Sequence, residues 1–544
     1  MTKKKILFCS EFSKLNTGYS TYTKQLLQNL YKTDKYELAE FATYGTIKDI
    51  KEAKFPWKIY ANMPSENSPE WKIYKQREAN QFGEWRFERV LLDFKPDIVA
   101  DIRDPWMFQH EFTSPYRDFY HWAIMPPIDS YPIKEDWMQM FVDADSVLLY
   151  SNWAAKVLKL ESNSKAKIVA TTPYGLDYNI YKSCPDKKNH RLKMGLPVDA
   201  LIVGTVMRNQ IRKLYPDLFE AFRKFLDTAP ANIAEKSYLY IHTSYPDKKA
   251  WEIPSLIKEY NLSKNIYCSY YCRVCHKIFS SMFQDARTRC IHCNGNSAVF
   301  PNVKEGYTTE EMIDVYNLFD LYVQYSICEG FGMPILEAAG CGVPVANVDF
   351  SAMIDLNNNL NGYRIEVERL DRIIDSNVVR ALPSNNSLIN IIKTHFSKTE
   401  KERKEKSEQI RKLAIKNYSW DSISKMWEFV LDKAAPAKRQ WTDKPRLFKI
   451  ENTVPDKLTN QQFISWALTN VLHAPELEYK VFGADMLRDL NYGVCINNNK
   501  IVEIDRKKIL HQLAGIAQNK LHAEYARCGL IEMDTPDYIK VANE

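Results

Sequence analysis

Two closely spaced Cys-x2-Cys pairs are the most specific chemical motif in the sequence. Cys272 and Cys275 form the first pair, and Cys290 and Cys293 form the second after fourteen intervening residues. Two such pairs at this separation supply the four ligands of a tetrahedral zinc site. Because all four ligands are thiols, no coordination position remains open for water. The spacing therefore predicts a structural Zn²⁺ and not a catalytic one.

These cysteines lie in a segment, residues 266–300, that we interpret as a small zinc-containing insertion. Its basic side chains outnumber its acidic ones, with Arg273, Lys277, Arg287 and Arg289 against Asp285. A small basic zinc element suits contact with a nucleic-acid backbone. It equally suits a contact with another protein or a purely stabilising role.

A second motif follows a predicted strand that ends near Ser326. The loop Gly330-Phe331-Gly332-Met333 leads into Pro334, a residue that favours the first turn of a helix. The loop amides and the helix N-terminus would then point to one place and bind an anion. Glu329 precedes this loop and Glu337 follows it within the helix. Their carboxylates suit the hydroxyl groups of a sugar and of a ribose.

The elements that must position these motifs form an alternating series. Short apolar runs of strand type alternate with helical patterns over the first 350 residues, which indicates parallel α/β sheets. The predicted strands are Ile6–Cys9, Ile98–Ala100, Val147–Tyr150, Ile202–Gly204, Tyr238–His242 and Leu321–Gln324. The series restarts at Leu201 after the stretch Cys184–Lys188, so we predict two α/β domains and not one.

In the later part of the chain the sequence pattern changes from alternating strands and helices to predicted helices. The mixed-charge run Lys398–Lys412 alternates in sign, which is typical of a solvated helix face. Ser419 then predicts the N-cap of an amphipathic helix whose apolar stripe begins at Trp420. Further helices are predicted over Gln461–Leu472 and Ile509–Arg527.

The composition is that of an ordinary globular protein. The chain has 544 residues and a net charge of +6, and its length corresponds to three or four domains. The 17 Gly, 25 Pro and 13% aromatic residues exclude collagen, coiled coil and extensive disorder. The 11 Cys are an odd number in a long chain, which argues against a disulfide framework.

No targeting or membrane segment is predicted. After the basic start Met1–Lys5, only Ile6–Cys9 is apolar, which is too short for a secretory signal. No window approaches the roughly 20 apolar residues of a transmembrane segment. We therefore expect a cytoplasmic protein, located in the host cytoplasm if it is viral.

The stretch Cys328–Val345 resembles the signature of the glycosyl transferase group 1 family, the glycogen synthase-like retaining enzymes of the GT-B fold. The Glu-x7-Glu spacing, the Gly-Phe-Gly tripeptide and the trailing Ala-Ala-Gly-Cys-Gly-Val-Pro-Val carry this resemblance. It covers roughly residues 3–435, interrupted by the zinc insertion. It implies an α/β fold of the GT-B class, with two Rossmann-like domains and a deep cleft between them. The zinc insertion and a C-terminal extension are additions to that fold.

The resemblance also implies domain boundaries. Residues 1–183 would form the N-terminal acceptor domain, and residues 184–415 would form the nucleotide-sugar domain, which contains the insertion. Residues 416–440 resemble the helix that crosses back onto the N-terminal domain. Residues 441–544 form an extension that lies outside the resemblance.

The family's donor site maps onto the second of these domains. Arg208 and Lys213 look like the cation pair that clamps the donor diphosphate. The resemblance implies that Glu329 holds the sugar hydroxyls and that Glu337 holds the ribose. The loop and helix start over Gly330–Pro334 would complete the donor site.

Residues of the N-terminal domain are expected at the same cleft. Gly18 lies in the family's first strand–helix loop, which approaches the donor phosphate and the acceptor. Asp129 would orient the acceptor hydroxyl, and His121 would contact the donor sugar. The alternatives for these two, a capping aspartate and a satisfied core histidine, stay open. Arg212 would either share the work of the cation pair or face solvent.

The resemblance implies transfer of a sugar from a nucleotide sugar, above all a UDP-sugar, with retention of anomeric configuration. Two cations at the leaving diphosphate stabilise its charge, so no catalytic metal is expected. The triplet Asp143-Ala144-Asp145 imitates the metal motif of a different glycosyltransferase fold. Here it precedes a stretch that resembles the family's ordinary helix-to-strand junction.

The acceptor follows less directly from the sequence. The basic insertion, the positive net charge and the C-terminal extension favour DNA that carries a hydroxylated base, as in phage-type DNA modification. An alternative is a cytosolic transferase that builds a surface polysaccharide, a glycolipid or a glycoprotein. A hypothesis of another class is a zinc-dependent nucleic-acid-binding protein with an inactive transferase fold. The oligomeric state stays open.

Overall fold

The computed structural model consists of two helix-covered parallel sheets, followed by smaller elements. It describes residues 3–248, 250–283, 288–302, 305–373, 376–443, 457–470, 494–497, 500–510 and 513. We call the body around the first sheet the N-lobe and the body around the second sheet the C-lobe.

The N-lobe is built on a seven-stranded parallel sheet. Its strands are β1 (Lys4–Glu11), β2 (Tyr36–Thr46), β3 (Lys58–Met63), β4 (Ile98–Asp101), β5 (His121–Ile124), β6 (Ser146–Leu149) and β7 (Ile168–Thr171). They lie in the order β3-β2-β1-β4-β5-β6-β7. The strand order reverses between β1 and β4, so the loops after these two strands diverge and leave a crevice at their carboxyl ends.

Helices connect the strands of this sheet. They are α1 (Gly18–Lys32), α2 (Ile47–Ala53), α3 (Glu70–Gln76), α4 (Glu78–Gln81), α5 (Phe87–Phe94), α6 (Gln109–Phe112), α7 (Glu135–Asp143) and α8 (Asn152–Glu161), with short 3₁₀ turns at Pro105–Met107 and Arg117–Phe119. The central strand β1 is apolar over Ile6–Cys9 and is buried there on both faces. A continuous apolar run is typical of a parallel strand covered by helices on both sides.

The C-lobe repeats this plan. Its sheet consists of β8 (Leu201–Val206), β9 (Ser237–His242), β10 (Ile266–Cys272), β11 (Ile278–Met282), β12 (Ala298–Val299), β13 (Leu321–Gln324), β14 (Val345–Val348) and β15 (Tyr363–Ile365). The order is β11-β10-β9-β8-β13-β14-β15, with β12 also paired to β10. The order reverses between β8 and β13. All six strands predicted from the sequence are present in the two sheets, with ends that differ by no more than two residues.

The remaining elements cover the C-lobe or follow it. The helices are α9 (Lys187–Lys193), α10 (Tyr215–Thr228), α11 (Ala231–Ala234), α12 (Ile253–Glu259), α13 (Thr309–Tyr316), α14 (Met333–Gly340), α15 (Met353–Leu360), α16 (Asn385–Phe396), α17 (Glu400–Tyr418), α18 (Trp420–Lys433) and α19 (Asn460–Asn470). Two hairpins are formed by β16 (Val367–Arg372) with β17 (Val379–Pro383) and by β18 (Val494–Asn497) with β19 (Lys500–Ile504). None of the helices that the structure describes combines the length and hydrophobicity that a bilayer crossing requires.

Helices α17 and α18 carry the chain back from the C-lobe to the N-lobe. The mixed-charge run lies in α17, of which only Ile410, Ala414 and Tyr418 are buried, so the prediction of a solvated face is confirmed. Ser419 caps α18, as the sequence predicted. The crossing segment pairs with the first connection between the lobes, where the Leu176 amide donates to the Tyr418 carbonyl at 2.5 Å.

Helix α18 packs its aromatic stripe against the first sheet. The indole of Trp427 is fully buried and donates to the Tyr22 hydroxyl at 2.8 Å. Beyond the helix, Trp441 packs on Tyr116 and Phe119 of the N-lobe. The predicted helix Gln461–Leu472 corresponds to α19, whereas most of the predicted helix Ile509–Arg527 lies outside the described residues.

A buried ion group stabilises the carboxyl end of β4. The fully buried Arg103 guanidinium donates to Asp101 Oδ2 at 3.0 Å, to Glu111 Oε1 at 2.9 Å and to the Phe82 carbonyl at 2.5 Å. Burial raises the pKa of the Glu111 carboxyl. Cys9 lies beside the same two carboxylates, and Arg103 supplies the positive charge that a bound cation would otherwise supply.

Removing the arginine of this group should destabilise the N-lobe. We expect Arg103→Ala to lower the free energy of unfolding by about 3–5 kcal/mol, because two buried carboxylates lose their counter-charge. The matched control is Arg369→Ala, which removes an exposed pair with Asp371 and should cost about 0–1 kcal/mol. Urea-induced unfolding measures both, and equal losses would show that the buried group contributes no special stability.

Candidate active site

The crevices of the two sheets face each other. Gly18, after β1, is so close to the start of α14 that an added Cβ would lie 2.7 Å from Met333 Cε. A Cβ on Gly330, after β13, would lie 2.9 Å from the Cβ of Pro127 in the N-lobe. These two glycines allow the lobes to meet at the points where both strand orders reverse, which is where open α/β sheets bind ligands.

Glu329 is the centre of a buried ion cluster at the carboxyl end of β13. Lys213 Nζ forms an ion pair with one of its carboxylate oxygens, and Arg212 Nη1 donates to the other at 3.0 Å. The Ser326 hydroxyl donates at 2.8 Å and the Gln324 amide at 2.6 Å. The cluster therefore joins the loop after β8 to the loop after β13 and leaves the carboxylate little freedom to rotate.

Electrostatics keep this cluster charged. Burial alone would raise the pKa of the Glu329 carboxyl, but Arg212 and Lys213 together hold it far below its ordinary value. Burial lowers the pKa of Lys213 to about 8, against the opposing effect of Glu329. Lys213 is therefore the member whose charge is lost first as the pH rises.

The cations differ in how accessible they are. The Arg208 side chain is 58% exposed, and its Nε donates to Asp247 Oδ2 at 3.3 Å. The side chain of Arg212 is 34% exposed, whereas that of Lys213 is only 7% exposed. Arg212 is thus bonded to Glu329 while about a third of its side chain stays exposed to solvent. Whether it shares the work of the cation pair is left open by the sequence.

Glu337 does not share hydrogen-bond partners with the Glu329 cluster. Its carboxylate accepts from the hydroxyl of Tyr181 at 3.0 Å and from that of Tyr316 at 2.5 Å. Burial raises its pKa. On the Glu329 side, Tyr322 of β13 donates its hydroxyl to Gln324 Oε1 at 2.5 Å, and the Gln324 amide in turn donates to Glu329.

The loop before α14 leads into the helix at the crevice. Gly332 adopts a left-handed conformation with φ of 99°, and Pro334 lies in the first turn of the helix. Proline has no amide hydrogen, and the Ile335 amide donates to the Gly332 carbonyl at 3.0 Å, so two of the first three helical residues offer no free amide to a ligand. Phe331 packs against Tyr174 and Tyr418 and fixes the loop from behind.

The opposite wall of the crevice belongs to the N-lobe and is acidic. Asp129 accepts from Cys328 Sγ at 3.2 Å and from the Ser130 hydroxyl at 2.7 Å. Asp104, which sequence reasoning missed, bonds the Tyr19 hydroxyl, and burial raises its pKa to about 6. Asp104 could have been predicted from its position just beyond β4, because ligands bind where the strand order reverses.

The structure does not bring His121 into this group. His121 is the first residue of β5 and therefore lies at the amino end of the sheet, away from the crevice. Its Nε2 shares a hydrogen bond with the Ser146 hydroxyl at 2.8 Å, and burial lowers its pKa. This corrects the expectation of a contact with the donor sugar and agrees with the alternative of a satisfied core histidine.

The triplet Asp143-Ala144-Asp145 is a structural junction. Arg117 donates to Asp143 Oδ2 at 3.0 Å and to Asp145 Oδ2 at 3.1 Å. Asp145 also accepts from the Trp122 amide at 3.0 Å. Both carboxylates are thus used to fix the start of β6.

The four predicted metal ligands form one cluster. The sulfur atoms of Cys272, Cys275, Cys290 and Cys293 all lie within 4.8 Å of one another. Two of the separations, Cys272 to Cys293 and Cys275 to Cys290, are 3.6 Å. A tetrahedron with metal–sulfur distances of about 2.3 Å has edges of about 3.8 Å, so the cluster fits a Zn²⁺ ion.

His276, His292 and Cys268 neighbour these cysteines in the sequence and are metal-ligating residue types, but they have other partners. His276 Nδ1 bonds the Tyr271 hydroxyl at 2.7 Å, and His292 Nε2 bonds the Ile278 carbonyl at 3.0 Å. Cys268 is buried within β10 and pairs with Ile241 of β9 and Ser281 of β11.

Part of the sequence matches a known family and a curated protein. The family model of glycosyl transferases group 1 matches residues 303–376. A stretch of 64 residues is 36% identical to the GtfA subunit of UDP-N-acetylglucosamine–peptide N-acetylglucosaminyltransferase from Streptococcus agalactiae. This stretch is 11% of the chain and covers 13% of that relative.

Solved structures are similar over most of the chain. Sucrose-phosphate synthase from Thermosynechococcus elongatus has a TM-score of 0.57 at 14% identity, over 79% of this chain and 99% of its own. A glycosyltransferase from Rickettsia africae has a TM-score of 0.55 at 16% identity, and the match covers 80% of this chain and 99% of the Rickettsia chain. HepE from Anabaena, in complex with UDP and glucose, has a TM-score of 0.54 at 14% identity, and the match covers 79% of this chain and 99% of the HepE chain.

The structural similarities cover both lobes of the fold, and the family match includes Glu329 and Glu337. The structural neighbours share the arrangement of both sheets, and the family match spans the loop and helix that carry the Glu-x7-Glu spacing. The chain has the GT-B fold, and its residues 303–376 match the family model of the group 1 glycosyltransferases.

Proposed function

We propose that this protein is a retaining glycosyltransferase that moves a sugar from a nucleotide-sugar donor to an acceptor hydroxyl. The observation that carries the proposal is the ion cluster of Glu329, Lys213 and Arg212 at the strand reversal of the C-lobe, opposite the acidic wall of the N-lobe. A carboxylate held by two cations beside the N-terminus of a helix suits a ligand that combines hydroxyl groups with phosphate.

A UDP-sugar is the donor that we propose. HepE is described in complexes with UDP, with UDP and glucose, and with UDP-glucose. The curated relative is named as a transferase that uses UDP-N-acetylglucosamine. Both names belong to other proteins, and they support a uridine nucleotide as the first donor to test here.

The charges around Glu329 supply the chemistry of the transfer. Arg208 and Arg212 are exposed enough to contact the donor diphosphate, and Lys213 adds positive charge from behind. They would stabilise the negative charge that develops on the diphosphate as the glycosidic bond breaks. Glu329 would bind the sugar hydroxyls, and the departing phosphate would take the acceptor proton in a front-face attack.

Two site residues need a change of partner before they bind the donor. Arg208 is paired with Asp247, and Glu337 is bonded to Tyr181 and Tyr316. A ribose that uses Glu337 would exchange hydrogen bonds with these tyrosine hydroxyls. Because Gly18 and Gly330 touch the opposite lobe, donor entry also requires the lobes to separate.

Asp129 and Asp104 are the groups that we assign to the acceptor side. Their carboxylates would accept hydrogen bonds from the incoming hydroxyl and orient it towards the sugar. They would also repel a phosphate group at that place. An acceptor that presents an uncharged hydroxyl-bearing unit to the crevice therefore fits this wall.

A hydroxylated base in DNA is the acceptor that we place first. Such a base would have to leave the duplex stack, or be met in a single strand, to reach the crevice. Lys277 and Arg289 are exposed cations of the cysteine-containing segment that suit a phosphate backbone, whereas Arg273 is paired with Glu305. A glycan, glycolipid or protein hydroxyl is the second candidate, because the acidic wall accepts an uncharged hydroxyl without requiring nucleic acid.

An acceptor panel tests both parts of the proposal. The protein is incubated with labelled nucleotide sugars and, separately, with plain DNA, hydroxymethylated DNA, lipid and protein acceptors. We expect label on hydroxymethylated DNA only, from a UDP-sugar. Label on lipid or protein alone would replace the acceptor and keep the activity. If no acceptor were labelled and no donor were hydrolysed, the chain would instead fit the inactive, nucleic-acid-binding hypothesis.

Loss of the accessible cation should slow the transfer. We expect Arg208→Ala to raise the barrier by about 2.7–4 kcal/mol, by analogy with the loss of one charge-stabilising donor. Steady-state kinetics should show the loss mainly in kcat. The control is Arg223→Ala, which removes an exposed cation of α10 that pairs with Asp227 far from the crevice. Equal rates for Arg208→Ala and the parent would overturn the role of Arg208.

Donor binding should weaken in alkaline solution. Because burial lowers the pKa of Lys213 to about 8, its positive charge is present below that pH and is lost above it. UDP affinity, measured by calorimetry between pH 6.5 and 9.5 at constant ionic strength, should therefore fall as the pH passes about 8. In Lys213→Arg the guanidinium stays charged, so the decline should disappear. A pH profile that is the same in both proteins would show that Lys213 does not contribute to binding.

A further inference from the structure

The cysteine-containing segment is continuous with the sheet of the C-lobe. We define the cysteine ribbon as the described residues 266–283 and 288–299. Its first strand, β10, begins parallel to β9, with Ile266 opposite Leu239, and continues into antiparallel pairing with β11 and β12. Cys272 is the last residue of β10. The ribbon is therefore an extension of the sheet edge next to β9.

The loop that follows β9 supports the cation loop of the proposed donor site. We define the cation loop as residues 207–214, which connect β8 to α10 and carry Arg208, Arg212 and Lys213. We call the described residues of the loop after β9, 243–248 and 250–252, the support loop. Asp247 accepts from Arg208 at 3.3 Å and is itself held by the Ser244 hydroxyl at 3.0 Å. The Trp251 carbonyl accepts from Asn209 at 2.8 Å, and its amide donates back to Asn209 at 3.1 Å.

A further bond reaches the other end of the cation loop. The Trp251 indole donates to the Lys213 carbonyl at 2.8 Å. The support loop is thus bonded to Arg208, Asn209 and Lys213, which span the whole cation loop. The Lys213 end is also bonded to the segment before Glu329, through the Leu214 amide to the Tyr325 carbonyl at 3.0 Å. Movement of the support loop would therefore displace mainly the Arg208 end relative to Glu329.

The cysteine ribbon packs against the support loop from the opposite side. Phe300 directly follows β12, and its ring lies 6.0 Å from that of Tyr245 in the support loop. Tyr270 and Phe283 of the ribbon enclose Phe300, with ring centroids 5.0 and 5.9 Å away. One residue before the support loop, His242 shares a hydrogen bond with the Ser269 hydroxyl of β10 at 2.9 Å.

The position of Phe300 depends on the second cysteine pair. Strand β12 has two residues and pairs with only Tyr271 and Cys272 of β10. The Arg273 amide, just beyond β10, donates to the Ser297 carbonyl at 3.3 Å. The sulfur cluster adds a further connection, in which Cys290 and Cys293 approach Cys275 and Cys272. A metal bound by all four sulfurs would join the two halves of the ribbon and hold β12, and with it Phe300, against the sheet.

We propose that the metal-bound cysteine ribbon is a positioning element for Arg208, acting through Phe300, Tyr245 and the support loop. This inference rests on the proposed function in one respect, the assignment of Arg208 to the donor diphosphate. Phe300 and Tyr245 are positioning residues, since they reach the donor only through the support loop.

The test combines metal removal with two variants of the full chain. Zinc content is measured by atomic emission, UDP affinity by calorimetry, and amide hydrogen exchange by mass spectrometry. We expect the untreated protein to hold Zn²⁺ at one per chain. Removal by a chelator should speed exchange in peptides containing Tyr245 and Asp247 and weaken UDP binding roughly tenfold, the typical loss of an orienting partner. Exchange in β1 and β4 should stay unchanged.

The variants separate positioning from general unfolding. Phe300→Ala should retain Zn²⁺ and yet reproduce the faster exchange of the support loop and the weaker UDP binding. Val274→Ala, a 63% exposed residue between Cys272 and Cys275, should leave all three measurements unchanged. If Phe300→Ala kept its metal and showed parental exchange in the support loop, the proposal would be wrong. A chain without bound metal would overturn it as well.

The exchange measurement also distinguishes this proposal from the proposed function. If the parent protein did not bind UDP at all, the donor assignment would fail. Faster exchange of the support loop in Phe300→Ala would still establish the mechanical link from the ribbon to Arg208.

Discussion

The buried contact between Glu329 and its two cations is the interaction on which the candidate site depends. It joins the loop after β8 to the loop after β13, the two places where the C-lobe sheet can bind a ligand. A buried carboxylate without these cations would be protonated and would lose its preference for hydroxyl donors. The pairing therefore fixes geometry and charge together. The rest of the site is arranged around it, with Arg208 towards solvent and Asp129 on the opposite wall.

Sequence patterns predicted the fold where burial leaves a simple signal. Strands β1, β8 and β13 are buried on both sides, so they are continuous apolar runs and can be recognised. Strand β5 begins with His121 and Trp122, and its four residues give no such run. The first and last residues of a four-residue strand lie about 10 Å apart, so His121 and the residues after Ile124 lie at opposite edges of the sheet. Because of this distance, Asp129, which follows β5, faces the crevice, whereas His121, which begins β5, does not.

Site residues could likewise be predicted only where a motif or a strand order marks them. Arg208, Lys213 and Glu329 follow strands at a strand reversal, and both motif spacing and topology point to them. Asp104 has no motif, and only its place after β4 marks it. The tyrosine partners of Glu337 come from α13 and from the connection between the lobes, 21 and 156 residues away in the chain. Within the described part of the extension beyond α18, helix α19 was predicted and the hairpin β18–β19 was not, because its strands have only four and five residues.

The pairing of Leu176 with the crossing segment has a mechanical consequence. Among the described residues the chain passes between the lobes at two places, which lie side by side and are joined at the Tyr418 carbonyl. Two bonded passages resist twisting more than a single flexible passage does. We therefore expect the crevice to open mainly by rotation about an axis through these two passages. Each closure would then bring Gly18 back to Met333 and Asp129 back to Cys328 in the same register.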